Sequence, residues 1–192
     1  MASVYVIQTG RTTWDEQTRI ESAPGAPLTA TGRQDVADAA RELAALSISA
    51  IYACGGEAEQ QTAELVAEAA GAKVRTSEEL RELDYGLWQG LTREEIKRRQ
   101  PKLYRQWTDS PASVRPPGGE TLDEVRHRLC KAVREIVKRH KNGRALLVLR
   151  PVAFALLRCM ARHEGLGRLW QNAGEGCCWQ VLEADPADWD GS

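Results

Sequence analysis

Val4-Tyr5-Val6-Ile7-Gln8-Thr9-Gly10-Arg11-Thr12 is the stretch that decides the fold. Four consecutive apolar residues, β-branched or aromatic in type, predict a buried central strand, and the glycine three positions on predicts a tight loop. In α/β folds a loop at the carboxyl end of such a strand is where ligands bind. Here the loop carries Gln8 and Thr9.

Outward from this loop, residues 14–27 are polar and irregular, with Pro24-Gly25-Ala26-Pro27 as breakers. Thr31 to Gln34 has capping-box spacing and predicts a helix to about Leu46, with Val36, Ala40, Leu43 and Ala44 on one face. Ile48 to Tyr52 reads as a second strand, 57–70 as a helix closed by Gly71, and Lys73 to Arg75 as a third strand. Thr121-Leu-Asp-Glu124 opens a helix to about His140 with an apolar stripe of Leu122, Val125, Leu129, Val133 and Ile136, ended by Asn142-Gly143. Ala145 to Leu149 is a further apolar strand. Arg150-Pro151 then starts an apolar helix to His163, and Cys177 to Glu183 closes the sheet. The alternation predicts a three-layer α/β/α fold with a mostly parallel central sheet.

One domain over residues 1–192 is expected, with a lid or insertion at about 77–119 and a loose tail at about 185–192. Within the insertion, Thr92 to Glu95 caps a basic helix that Pro101 interrupts, and its charges read as a solvated face. A 42% hydrophobic, 28% charged composition is that of an ordinary soluble protein, and a net charge of −1 argues against nucleic-acid or acidic-membrane partners. No apolar run has transmembrane length, and Met1-Ala2-Ser3-Val4 lacks the basic start of a secretory leader. The five cysteines have no CxxC spacing, so reduced thiols in a cytoplasm are expected, with neither a disulfide frame nor a metal site.

Five motifs in order resemble the histidine phosphatase superfamily, the group that includes cofactor-dependent phosphoglycerate mutase. They are Val4 to Asp15, Pro27-Leu-Thr-Ala-Thr-Gly32, Gln61-Thr62-Ala63, Leu80-Arg-Glu-Leu-Asp-Tyr-Gly-Leu-Trp-Gln-Gly90 and Pro117-Gly-Gly-Glu-Thr121. The resemblance covers nearly the whole chain and implies a phosphoglycerate mutase-like fold that needs no cofactor. In that family a histidine attacks the phosphoryl group, two arginines and a second histidine hold its oxygens, and a carboxylic acid protonates the leaving group.

Carried onto this chain, the resemblance puts Thr9 at the nucleophile, Gln8 and Ala58 at the two arginines, and Arg150 at the second histidine. The neighbours Leu149 and Pro151 would serve no better than Arg150. Only Glu82, at the proton donor, is retained. The implied pocket is therefore a degenerate phosphate site of Gln8, Thr9, Arg11, Ala58, Glu82 and Arg150, with Arg11 at its rim. The expected function is that of a pseudophosphatase with a binding, regulatory or scaffold role. The alternative is a phosphatase or phosphomutase-type hydrolase with a rearranged site. Weak binding of a small phosphate ester fits either reading, as does a homodimer or a protein partner.

No histidine stands in for the missing groups. His127 lies off the apolar stripe of its helix, and His140 and His163 fall at helix C-termini, where a cation complements the dipole. Thr9 has no adjacent base. Cys54, at the exit of the second strand, reads either as a thiolate nucleophile or as a small buried hydrophobe. Arg150, left facing Glu82, is expected to pair with it. Trp14, Trp88 and Trp107 either line a lid or pack in the core.

Overall fold

The apolar run at the N-terminus forms β1 (Ser3–Gln8), followed by a one-turn helix α1 (Thr13–Glu16) and by α2 (Ala30–Ala44). Then come β2 (Ala50–Ala53), α3 (Glu57–Ala70) and β3 (Lys73–Thr76). Two short helices, α4 (Arg93–Arg99) and α5 (Pro101–Asp109), precede the long α6 (Leu122–Arg139). The chain finishes with β4 (Arg144–Leu149), α7 (Pro151–Ala161), α8 (Leu169–Asn172) and β5 (Trp179–Leu182). This computed structural model describes residues 3–22, 24–141, 143–173, 176–182 and 189.

The strands lie in the order β3-β2-β4-β1-β5, parallel except for the antiparallel edge pair β1–β5. β4 is the middle strand and β1 lies beside it, one in from the edge. Residues 4–7 of β1 and 145–149 of β4 are apolar because both faces of the sheet are covered, and alternate side chains enter different cores. Tyr5 and Ile7 of β1, Ile51 of β2 and Leu146 and Val148 of β4 pack with Val36, Leu43, Ala63 and Val66 from α2 and α3. Val4 and Val6, Tyr52, and Leu147 and Leu149 pack on the other face against Leu129 and Val133 of α6 and Phe154 and Leu157 of α7. Each large side chain so buried contributes about 1.5–3 kcal/mol. The three-layer architecture with a mostly parallel sheet is therefore the one the alternation predicts.

Several local expectations are corrected. The cap of α2 is Thr29, whose hydroxyl accepts from the Gly32 N–H, so the helix starts before Thr31, and Ala44 is exposed while Ala39 is buried. Residues 14–27 are not wholly irregular: Thr12 and Asp15 form a capping box that starts α1. Asn142, Glu183 and all of 185–192 but one residue lie outside the described residues. The exception, Trp189, is fully buried, contrary to a loose tail at that point. Residues 77–119 add Leu80, Leu83, Trp88, Ile96, Trp107 and Val114 to the α6–α7 core, so much of that segment is as buried as the sheet.

The requirement for glycine at position 10 is one of space. The Gly10 φ is not positive; a Cβ there would lie 2.5 Å from the Gly32 carbonyl oxygen and 2.8 Å from Val36 Cγ2. Gly10 and Gly32 together let the loop after β1 lie directly on the first turn of α2.

Candidate functional site

The carboxyl ends of β1 and β4 place the site. Gln8 pairs with Leu149 in register, and Thr9 N–H donates to the Leu149 carbonyl at 2.9 Å, so Thr9 and Arg150 leave the sheet side by side. Arg150 Nη1 donates to Thr9 Oγ1 at 3.3 Å. Around them opens a cleft of about 500 Å³. Gln8, Thr9, Arg11, Glu82 and Arg150 all line it. Ala58 does not: it is fully buried in the core between the sheet and its own helix α3.

Arg150 is the N-cap of α7 and is only 3% exposed. It does not pair with Glu82, as the sequence led us to expect. Its guanidinium donates to Asp15 Oδ1 at 3.1 Å and to Glu21 Oε2 at 3.0 Å. Burial alone would depress its pKa, but the Asp15 and Glu21 carboxylates outweigh that and hold it above the ordinary arginine value. Glu21 in turn accepts from the Thr12 hydroxyl at 2.6 Å and from the Ala26 N–H. Burial raises the Glu21 pKa even against the opposing pull of Arg150. The same capping box that starts α1 orients Asp15, whose Oδ2 accepts from Thr12 N–H at 2.9 Å.

Glu82 has a different partner, the helix α7. Its Oε2 accepts from Val152 N–H at 2.8 Å and its Oε1 from Ala153 N–H at 3.2 Å and from its neighbour Leu83 at 2.6 Å. A helix N-terminus is a ready-made anion site, and here the chain fills it with its own carboxylate. Burial raises the Glu82 pKa to about 7, with the Leu83 and Val152 N–H groups and Arg150 opposing the rise. Arg128 of α6, 8% exposed, holds the segment that carries Glu82. It donates to the carbonyls of Glu79, Arg81 and Glu82 and forks onto both oxygens of Glu120.

Four arginines (11, 19, 93 and 150) and three carboxylates (Asp15, Glu21 and Glu82) line the cleft. The sequence pointed to Arg11, Arg150 and Glu82. Asp15 was marked only by its threonine three residues earlier, a capping spacing; Glu21 and Arg19, in a stretch without periodicity, carried no signal. Arg93, in a helix taken for a solvated face, turns one side of that face to the cleft. The upper wall is aromatic. Trp107 meets Tyr85 at 6.2 Å and Trp170 at 5.1 Å between ring centroids, both edge to face, and all three line the cleft with Tyr104. Trp88 instead is buried with its indole N–H on Gln100, and Trp14 stands outside the cleft lining, against Gly90.

None of the three histidines lines the cleft. His127 is exposed and bonded to the Asp123 carbonyl; His140 meets the Tyr52 hydroxyl at 2.9 Å, and burial lowers its pKa. Cys54 is also away from the lining, and the nucleophile reading of it is corrected. Its thiol donates to Glu59 at 3.2 Å, and burial together with that carboxylate pushes its pKa up to about 12, far from a thiolate at neutral pH. Among the described residues no cluster of His, Cys, Asp and Glu could hold a metal ion, and no helix is long and apolar enough to cross a membrane.

The site can be set beside known proteins. Phosphoserine phosphatase 1 of Hydrogenobacter thermophilus is 24% identical over 96% of this chain and 88% of its own. The probable phosphoglycerate mutase GpmB of Salmonella choleraesuis is 29% identical over 82% of this chain and 73% of its own. Among solved structures, Bacillus stearothermophilus YhfR superposes with a TM-score of 0.91 at 29% identity, covering 96% of this chain and 92% of that one. The family model of the histidine phosphatase superfamily, branch 1, matches residues 4–191, and the chain belongs to that superfamily.

Proposed function

We propose that this protein binds a small molecule in the cleft without transferring a phosphoryl group. One observation carries the reading: both cationic elements of the cleft floor are already occupied by the chain's own carboxylates. Arg150 is held by Asp15 and Glu21, and the N–H groups of α7 by Glu82. A phosphoryl dianion gains its affinity from several converging charged donors, and on this floor three carboxylates already take those donors. No imidazole lines the cleft to attack it, and Thr9 has a guanidinium rather than a base beside it.

The names of the relatives favour a second reading, a hydrolase or mutase acting on small phosphate esters through a rearranged site. The two separate in one assay. Purified protein incubated with an aryl phosphate, phosphoserine and 3-phosphoglycerate should release no phosphate above a buffer blank. Turnover that disappears in Thr9→Ala or Glu82→Ala would establish the second reading in place of the first.

A further inference from the structure

The polar groups of the cleft are sorted by depth. At the floor, Arg150, Asp15 and Glu21 together leave one carboxylate in excess, and Glu82 lies beside them. Asp15 is the accessible member. Its side chain is 31% exposed, and of the roughly four acceptor positions a carboxylate offers, Arg150 and Thr12 use three. At the rim, Arg11 and Arg93 are exposed, and their guanidiniums make no hydrogen bond or ion pair among the described residues.

Between floor and rim stands Tyr85. It is 7% exposed, lines the cleft, and its hydroxyl makes no hydrogen bond among the described residues. Asp15, Glu82, Arg93 and Arg150 all act on it electrostatically, so it stands where the acidic floor meets the basic rim. With no protein partner among the described residues, and open to the cleft rather than sealed in the core, that hydroxyl is free to meet a ligand. A group that supplies both a donor and positive charge would complete Tyr85 and the excess floor carboxylate at once.

From this arrangement we infer that the cleft takes a primary amine that also bears an acid group, of amino-acid type with an apolar or aromatic body. Its ammonium donates to Asp15 and the Tyr85 oxygen, its body lies against the Trp107 and Trp170 rings, and its acid group meets Arg93 and Arg11. Aromatic faces around an ammonium add cation–π attraction of about 0.5–2 kcal/mol. The ligand class presupposes the non-catalytic reading of the same cleft.

Four probes with one shared ring separate the charges: L-phenylalanine, phenethylamine, 3-phenylpropionate and phenyl phosphate. Titration calorimetry at mildly alkaline pH should give phenylalanine an affinity at least about tenfold above those of 3-phenylpropionate and phenyl phosphate. Tyr85→Phe, which keeps the ring packing, should weaken phenylalanine and phenethylamine several-fold and leave 3-phenylpropionate unchanged. Arg93→Gln, at an exposed position, should weaken phenylalanine but not phenethylamine. Phenyl phosphate binding as tightly as phenylalanine, or no probe saturating below about 10 mM, overturns the ligand class. Phosphate release is followed in the same samples. Turnover of phenyl phosphate refutes the non-catalytic reading whatever the ranking, whereas a wrong ranking without turnover refutes only the ligand class.

Discussion

Glu82 caps helix α7 through Val152, carboxylate to backbone N–H at 2.8 Å, at the cleft wall with only 2% of the residue exposed. Burial lifts its pKa from 4.5 to about 7, so the folded protein holds the proton more tightly than the unfolded chain does. The sign follows from linkage. The contribution is fully present below the unfolded value near 4.5 and is lost as pH rises through about 7. At about 1.4 kcal/mol per pKa unit, the full loss is about 3–4 kcal/mol. Denaturant melts of wild type and Glu82→Gln should therefore differ in slope: between acid and neutral pH the wild type loses stability relative to the variant. Parallel curves would mean that Glu82 does not titrate there.

The Arg150 cluster makes the opposite kind of prediction, one of pairing. Removing the guanidinium in Arg150→Met leaves Glu21, 2% exposed, and Asp15 without their cation. Breaking a buried ion pair from one side costs about 3–5 kcal/mol. Adding Glu21→Gln to Arg150→Met should recover part of that loss, because the remaining buried charge is removed. A double-mutant cycle measures the coupling. Additive losses would show that the two residues stabilise the protein independently.

What the sequence revealed and what it hid divide along physical lines. Short apolar runs, period-3.6 patterning and capping residues located the strands and the long helices of the described residues, because those signals are local. The capping boxes at Thr92 and Thr121 form as their spacing predicts. The floor of the cleft depends instead on contacts across long stretches of chain, such as Arg150 with Glu21 and Arg128 with the carbonyls of 79–82. Arg150 and Glu82 line one cleft, yet neither has the other as its partner. A helix N-terminus competes for a carboxylate as well as a guanidinium does, and two carboxylates sat closer to Arg150. Motif spacing carries no information about that competition.

Gly32 tests the packing that shapes the loop after β1. A Cβ at this position would collide with the backbone of Arg11, its N at 2.7 Å and its carbonyl carbon at 3.0 Å, atoms that cannot rotate away. Gly32→Ala favours the helix intrinsically, since alanine is the better helix former by about 1 kcal/mol. The collision should outweigh that gain, with a net loss of about 1–3 kcal/mol and a shift of the Gly10–Thr12 segment. Equal or raised thermal stability in the variant would show that the loop and α2 have room to separate.

A single restored imidazole should not restore phosphotransfer. Thr9→His puts a ring at the mouth of β1 beside Arg150, whose positive charge would keep the imidazole neutral and nucleophilic. The limiting deficit lies elsewhere. The phosphoryl oxygens would still need donors, and Arg150 remains committed to Asp15 and Glu21 while Glu82 occupies the N–H groups of α7. Stabilising the transferring group's charge is commonly the largest catalytic contribution, and one missing donor alone costs about a hundredfold or more. Phosphate release from an aryl phosphate by Thr9→His should therefore stay at background, with no acid-labile phosphoenzyme detectable by mass spectrometry. A phosphohistidine at position 9 would show that Arg150 can leave its carboxylates for a phosphoryl group, and that the floor of the cleft is less self-occupied than its geometry implies.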